Sequence, residues 1–373
     1  ARLSPLPGGP LSSPALLAPT LPVLSGPALP GVPSLGVPAL AAPSPDAGLV
    51  AAPPGAISEL RETASAAADP DAGPAALDRG FDGRLAADGV VHAEPGVGAD
   101  SGLSVFERLS GRPGIAGDVR LLKDFPSRIM GNSRSVAVYL PPGYESSGRR
   151  YPVLYMHDGQ NLFDPSTAFG GVEWRMDETL ERLIRSGELP GVIVVGVYNT
   201  SDRDSEYTPV PDPEYGGGRG DLYGEFLVSE LKPFVDASLR TLPDAEHTAV
   251  MGSSLGGLIS LHLGLTRPDV FSKVAAISPS LWWSEREMLR RLKNNRFPKP
   301  KPRIWADMGT LEGGGPEEAR QAVEDLKQLG RSLRSRGWSK GRDLAVLEVE
   351  GGRHNERDWG LRAAAILKFL FGV

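Results

Sequence analysis

The chain has 373 residues, 40% of them hydrophobic, a formal net charge of −6 and no cysteine. That length holds one large domain or two ordinary ones with a sizeable core, and interleaved acidic and basic residues argue against nucleic acid as the main partner. The absence of cysteine excludes disulfides, thiol nucleophiles and thiolate metal sites, and no apolar run approaches the ~20 residues of a membrane-spanning helix.

The first part of the chain is built from Pro, Ala, Leu, Gly and Ser, with 14 prolines up to Pro54 and no lysine before Lys123. Proline fixes φ and removes a backbone donor, so this stretch reads as an extended tail. Residues 1–112 are expected to form a Pro/Ala-rich, mostly disordered tail or linker without chemistry, interrupted by a short helix over Ile57–Ala68 and a turn-rich stretch over Phe81–Val90. Such a tail, on a chain that starts at Ala1 rather than methionine, suits export to the periplasm or the cell exterior.

From about Asp118 strand and helix patterns alternate. Val119–Phe125 predicts a strand at an antiparallel edge. Apolar strand runs follow at Ser135–Leu140, Val153–Met156, Val192–Tyr198, Thr248–Met251, Val274–Ser278, Ile304–Met308 and Leu344–Glu350. Between and after them, helical periodicity covers Val172–Ser186, Asp221–Arg240, Leu255–Thr266, Ser284–Asn294, Pro316–Arg336 and Glu356–Phe371. Strands that are apolar on both faces and alternate with amphipathic helices predict one α/β domain, residues 113–373, with a mostly parallel sheet of about eight strands covered on both sides.

One strand-to-helix junction carries chemistry. Gly252–Gly256 reads GSSLG, a G-x-S-x-G pattern with Ser254 at its centre. The strand must turn at once into a helix, so the residues flanking the serine by two must be tiny, and the serine hydroxyl is pushed out of the sheet beside free helix N–H groups. A glycine-rich turn without chemistry is the alternative; the strand before and helix after weigh against it. Of five histidines, His92 lies in the tail, His247 opens the strand at its far end, and His262 lies two turns along the helix, ~12 Å from the serine by helical rise. His157 ends a strand beside Asp158 and Gly159, where either a place near the site or a structural turn role is open to it. His354 follows the last strand and precedes the last helix, at the end of the sheet where open α/β folds place their chemistry. The orienting carboxylate belongs after the strand between them. Glu312, in the Gly309–Gly315 loop, is the choice; Asp307 is the rival, and Glu356 and Asp358 suit the first turn of the final helix. The backbone N–H groups of Leu255 and of Gln160, in the loop after His157, are the expected oxyanion donors.

Read together, VYLPPGY from Val138, YPVLYMHDGQNLF from Tyr151, WRMDETLERLI from Trp174, VVGVYN from Val194, RDSEYTP from Arg203, SPSLWW from Ser278, GTLE from Gly309 and GGRHNERDW from Gly351 resemble the putative esterase family of α/β-hydrolases. That group includes enterochelin esterases, feruloyl and acetylxylan esterases and esterase D. The resemblance covers residues 115–373 and implies an α/β-hydrolase fold and a serine carboxylic-ester hydrolase acting through an acyl-enzyme. Carried over by position, it implies Ser254 as nucleophile, His354 as base and Glu312 as acid. The implied substrate is a small-molecule ester, of aryl, feruloyl, acetyl or siderophore type, with Trp282, Trp283, Arg203 and Tyr207 as expected pocket residues. Core packing is the competing role for the tryptophans. An acyltransferase with the same triad and a non-catalytic tethered binding protein are the alternatives. No metal or cofactor is called for: His157 with Asp158 is too sparse for a metal site, and Gly216–Gly220 lacks the lysine and setting of a phosphate loop. No oligomeric state follows from the sequence.

Overall fold

The computed structural model describes residues 101–294 and 296–372. The expected helix at Ile57–Ala68, the turns at Phe81–Val90 and His92 lie outside the described residues. The strands in chain order are β1 (Glu107–Arg108), β2 (Asp118–Ser127), β3 (Asn132–Leu140), β4 (Val153–His157), β5 (Ile193–Val197), β6 (Pro211–Asp212), β7 (Gly216–Gly217), β8 (Thr248–Ser253), β9 (Lys273–Ile277), β10 (Arg303–Gly309) and β11 (Leu344–Val349). The helices are α1 (Met176–Arg185), α2 (Arg203–Glu206), α3 (Gly220–Phe226), α4 (Lys232–Ser238), α5 (Leu255–Thr266), α6 (Trp283–Asn294), α7 (Pro316–Ser335), α8 (Glu356–Gly360) and α9 (Ala363–Phe371).

Nine strands form the main sheet in the order β1-β2-β3-β5-β4-β8-β9-β10-β11. The pairings β1–β2, β2–β3 and β3–β5 are antiparallel, and the rest are parallel. This is the α/β-hydrolase fold, with the antiparallel edge that Val119–Phe125 predicts. The antiparallel part is larger than expected, since β3 also runs against its neighbours. The short β6–β7 hairpin stands apart from this sheet.

β4, β5 and β8 are buried along their whole length, which explains why their sequences run apolar without alternation. Successive side chains still point to opposite faces. Val153 and Tyr155 join the core layer that includes α5, α6 and α7, while Leu154 and Met156 join the layer that includes α1 and α9. α1 reaches that second layer with Met176, Leu180 and Leu183, spaced four and three residues apart on one face. α5 is apolar on every side because it is buried on every side.

Two expected helices are broken. The pattern over Asp221–Arg240 divides into α3, a π-turn at Leu227–Leu231 and α4. Pro233 accounts for this: it has no N–H to donate, and its ring would collide with the carbonyl four residues back in a regular helix. The pattern over Glu356–Phe371 divides into α8 and α9, with Arg362 at the N-cap of α9. There its guanidinium reaches into the buried interior to Asp307, Nη1 to Oδ1 2.5 Å.

The domain also begins earlier than residue 113. Leu103, Phe106 and Leu109 are buried, Phe106 packs its ring 6.2 Å from that of Phe234, and β1 pairs with β2. The sequence signal at this boundary is only four apolar residues, Leu103, Val105, Phe106 and Leu109, within a glycine- and serine-rich text, too short to read as an element. Phe106→Ala tests the corrected boundary. It removes a core ring and should cost about 3–5 kcal/mol of unfolding free energy in a denaturant titration; an unchanged midpoint would place residues 101–109 outside the folded domain.

Candidate active site

The strand-to-helix junction is as tight as its glycines suggest. A Cβ on Gly252 would lie 2.7 Å from the backbone carbon of Gly256, and one on Gly257 would lie 2.9 Å from the carbonyl oxygen of Ile277. Only a residue without a side chain lets β8 and α5 pass so closely. Ser254 sits at the turn with φ 56° and ψ −125°, a strained backbone for a non-glycine residue. The end of β9 and the segment after it hold the junction: Ser254 N–H donates to the Ile277 carbonyl at 3.0 Å, and Ser280 N–H donates to the Ser254 carbonyl at 3.1 Å. Ser253 is buried, whereas Ser254 is partly exposed. The Ser254 hydroxyl lies 3.3 Å from the hydroxyl of Ser280. No hydrogen bond joins Ser254 to His354 among the described residues.

His354 and Glu312 meet across the loops that follow β11 and β10, with Nδ1 2.8 Å from Oε2. The imidazole is 38% exposed and the carboxylate nearly fully buried. The ring of Trp359 stands edge-on to His354 at 4.8 Å. Burial opposes ionisation of Glu312, but hydrogen bonds from His354, Ser278 and Gly309 N–H outweigh it and hold the carboxyl below its ordinary range. Asp307 is buried within β10 and is bonded to Arg362 and Trp305. It makes no bond to His354, so the carboxylate paired with this histidine is Glu312. Glu356 accepts from Asn161 at 3.2 Å, and Asp358 accepts from the Arg353 N–H at 2.7 Å.

The loop after β4 is built with equal care. A Cβ on Gly159 would fall 2.3 Å from the backbone of Gly196, so the loop lies directly on β5. Asp158 adopts a left-handed backbone, φ 55°. It is clamped by Arg203 at 2.7 and 2.9 Å, by Asn199 at 2.6 Å, and through its own N–H by the Tyr207 hydroxyl at 3.2 Å. This fixes the 3-10 turn Gly159–Asn161, whose first bond runs from Asn161 N–H to the Asp158 carbonyl. Neither Gln160 N–H, in this turn, nor Leu255 N–H, at the first position of α5, has an acceptor within its own helix. His157 is buried, with Nδ1 2.9 Å from the Tyr223 hydroxyl, and burial pushes its pKa down to about 3. It is a neutral core residue at neutral pH. His262 is likewise a packed side chain, bonded to Asp221 and Arg291. His247 is bonded to Asp244 before β8, at the opposite end of that strand from Ser254.

Two expected pocket residues are corrected. Tyr207 has no exposed surface, and its hydroxyl is spent on Asp158. Trp283 is buried and donates its indole N–H to the Val210 carbonyl at 2.8 Å. The Arg203 guanidinium is engaged by Asp158, so it too supports the Gly159–Asn161 turn. Trp282 differs: it is 50% exposed, with Tyr215 edge-on at 5.8 Å. The sequence did not single out Tyr215, because an aromatic in a glycine-proline loop carries no periodic signal. It also missed Ser278 and Ser280, whose roles depend on contacts between loops. A cavity of about 600 Å³ is lined in part by Arg353 and Asn355, the residues before and after His354 in the chain, and by Phe169, Val172 and Arg357.

Among the described residues, one carboxylate group is close enough to share a cation: Glu173, Asp177 and Glu178 at the start of α1, with one oxygen from each within 4.8 Å of the others. Burial raises the Glu173 carboxyl to about 7 and pushes Asp177 upward as well.

Two tests follow from this geometry. The folded pKa of Glu312 lies below its unfolded value, so its contribution to stability is present above pH ~4.5 and is lost as pH falls through the depressed value. The difference in unfolding free energy between wild type and Glu312→Gln should shrink on acidification; a flat difference from pH 7 to 3 would contradict the assignment. Arg203→Met should free the Asp158 turn and lower kcat/KM for any ester turned over with the fold intact, by up to the roughly 10²–10³-fold that follows the loss of one oxyanion donor. Unchanged kinetics would show that the clamp is dispensable.

The family model described as Putative esterase matches residues 127–370. An uncharacterized protein of Bacillus subtilis, YbbA, is 26% identical over 248 residues, which is 64% of this chain and 93% of the relative. The ferri-bacillibactin esterase BesA of the same organism is 31% identical over 159 residues, 38% of this chain and 52% of that protein. The solved structure of the siderophore hydrolase EstA from Aspergillus nidulans superposes with a TM-score of 0.53 at 23% identity, covering 69% of this chain and 96% of that one. At that identity the likeness shows the fold.

Proposed function

The chain belongs to the putative esterase family and is a carboxylic-ester hydrolase, and from that premise we propose that Ser254, His354 and Glu312 carry the reaction through an acyl-enzyme. The observation that supports it is the 2.8 Å bond between His354 and Glu312 at the same rim of the sheet as the strained Ser254. Glu312 holds the imidazole. His354 takes the proton of Ser254 as its hydroxyl attacks the ester carbonyl, which requires the hydroxyl to turn from Ser280 toward the imidazole as substrate binds. The backbone N–H groups of Leu255 and Gln160 receive the developing oxyanion. His354 returns the proton to the leaving alcohol, and water then repeats the sequence on the acyl-enzyme.

The substrate is proposed to be a small-molecule ester bearing an aromatic group. The exposed face of Trp282 with Tyr215 supports this, two residues along the chain from the Ser280 hydroxyl that touches the nucleophile. BesA is a ferri-bacillibactin esterase by name, so siderophore-type esters belong in the assay panel beside aryl, acetyl and feruloyl ones.

Ser254→Ala should lose the wild-type rate on p-nitrophenyl acetate by at least about 10³-fold, and should lose labelling by a fluorophosphonate probe, with an unchanged thermal midpoint. Equal rates for variant and wild type would eliminate Ser254 as the nucleophile. A product burst equal to the enzyme concentration on a slowly deacylated ester would support the covalent step.

A further inference from the structure

Behind the paired carboxylate and imidazole lies a buried serine, Ser278, the residue directly after β9. It adopts a left-handed backbone, φ 44°, and its N–H donates to the Asp307 carbonyl at 3.0 Å. Its hydroxyl oxygen has three partners: Glu312 Oε1 at 2.5 Å, the indole Nε1 of Trp359 at 3.0 Å and Nη1 of Arg362 at 3.2 Å.

The chemistry of those partners fixes the direction of each bond. Indole N–H and guanidinium N–H groups only donate. Ser278 Oγ therefore accepts from Trp359 and from Arg362, using both lone pairs. Its single proton is left to go to Glu312 Oε1. That same Oε1 also accepts from Gly309 N–H at 2.7 Å. With two donors on Oε1, that oxygen has no room for a proton of its own, and the hydrogen bonds that hold the carboxyl below its ordinary range keep it a carboxylate at neutral pH. Its other oxygen, Oε2, faces His354 Nδ1 at 2.8 Å. A carboxylate oxygen only accepts, so the proton of that bond sits on Nδ1, and in the neutral imidazole Nε2 is the nitrogen with the lone pair.

We propose that Ser278 is a positioning residue that sets the direction of the Glu312–His354 hydrogen bond and thereby the imidazole tautomer needed for catalysis. Trp359 ties the two halves together. It donates to Ser278, and its ring forms the wall against which His354 stands. The hydroxyl, the orientation of the carboxylate and the seat of the imidazole thus form one connected unit. Arg362 joins it to the buried Asp307. The proposal rests on the reading of His354 and Glu312 as base and acid, and goes beyond it by giving a task to a residue that touches no reacting atom.

The variants are Ser278→Ala and Ser278→Gly. Glycine relieves the left-handed backbone, so a residue needed only for its turn would be replaced by glycine without loss. On p-nitrophenyl acetate both variants should lose kcat by about 10–100-fold with KM within about threefold, well short of the ~10⁴-fold that follows when the orienting acid itself is neutralised. Losing a donor makes Glu312 a stronger base and raises the proton affinity of His354, so the acid limb of the kcat/KM profile should move to higher pH in both. Proton NMR gives a readout independent of turnover. The wild type should show a far-downfield Nδ1 proton, assigned by its absence in His354→Gln, and that signal should shift or broaden in Ser278→Ala and Ser278→Gly. Folded variants with wild-type kcat, acid limb and Nδ1 signal would overturn the proposal. If the wild type itself hydrolyses no ester and takes up no fluorophosphonate, the catalytic reading fails, and the Nδ1 signal alone then decides whether Ser278 directs the bond.

Discussion

The close passage of β8 against α5 is the constraint on which the site depends. With Gly252 2.7 Å from the Gly256 backbone at the position where a Cβ would be, the chain has room only for glycine. The turn between them forces Ser254 into a backbone that an ordinary residue avoids. Parallel strands on either side make this strain affordable, because β8 is buried on both faces and bonded to β4 and β9 along its length. The same turn that exposes the serine hydroxyl also leaves the first N–H of α5 beside it. The strained serine and a helix N–H with no acceptor in its own helix are thus two consequences of one backbone event.

The loop after β4 is fixed by charge. Asp158, in a left-handed conformation, is held by Arg203 on α2, and α2 is anchored through Glu206 to Arg134 on β3. The Arg134–Glu206 pair is fully buried, with bonds of 2.7 and 2.8 Å and a third from Asn132 to the carboxylate. Arg134 also lies over the ring of Phe226 at 4.7 Å. A pair so placed is costly to break from one side, since the remaining charge would be stranded in the core. The loop from which Arg203 and Tyr207 were expected to reach the pocket is therefore, over Arg203–Tyr207, a brace beneath the Asp158 turn. Only its later part, around Tyr215, reaches solvent beside Trp282.

The acid side shows the same division of labour. Glu312 meets His354 with one oxygen and two donors with the other, and Asp307, buried beneath it, neutralises Arg362. Two carboxylates close in sequence have different tasks because one belongs to the strand and the other to the loop beyond it. From sequence, Glu312 could be preferred over Asp307 only by its place after the strand. The hydrogen bond to His354 is what separates them.

The sequence by itself determined the local events. Apolar runs without alternation marked the buried parallel strands, the glycine spacing around Ser254 marked the junction, and chain position alone sufficed to bring forward His354 and Glu312. These features are written in contiguous residues, where steric and hydrogen-bonding demands are short-range. Tertiary structure alone decided the rest: that Phe106 belongs to the core, that Tyr207 and Trp283 turn inward, and that Ser278 supports Glu312. Each of those depends on which distant segment lies opposite a side chain, and a tyrosine or serine reads the same in sequence whether its hydroxyl faces solvent, substrate or a buried carboxylate.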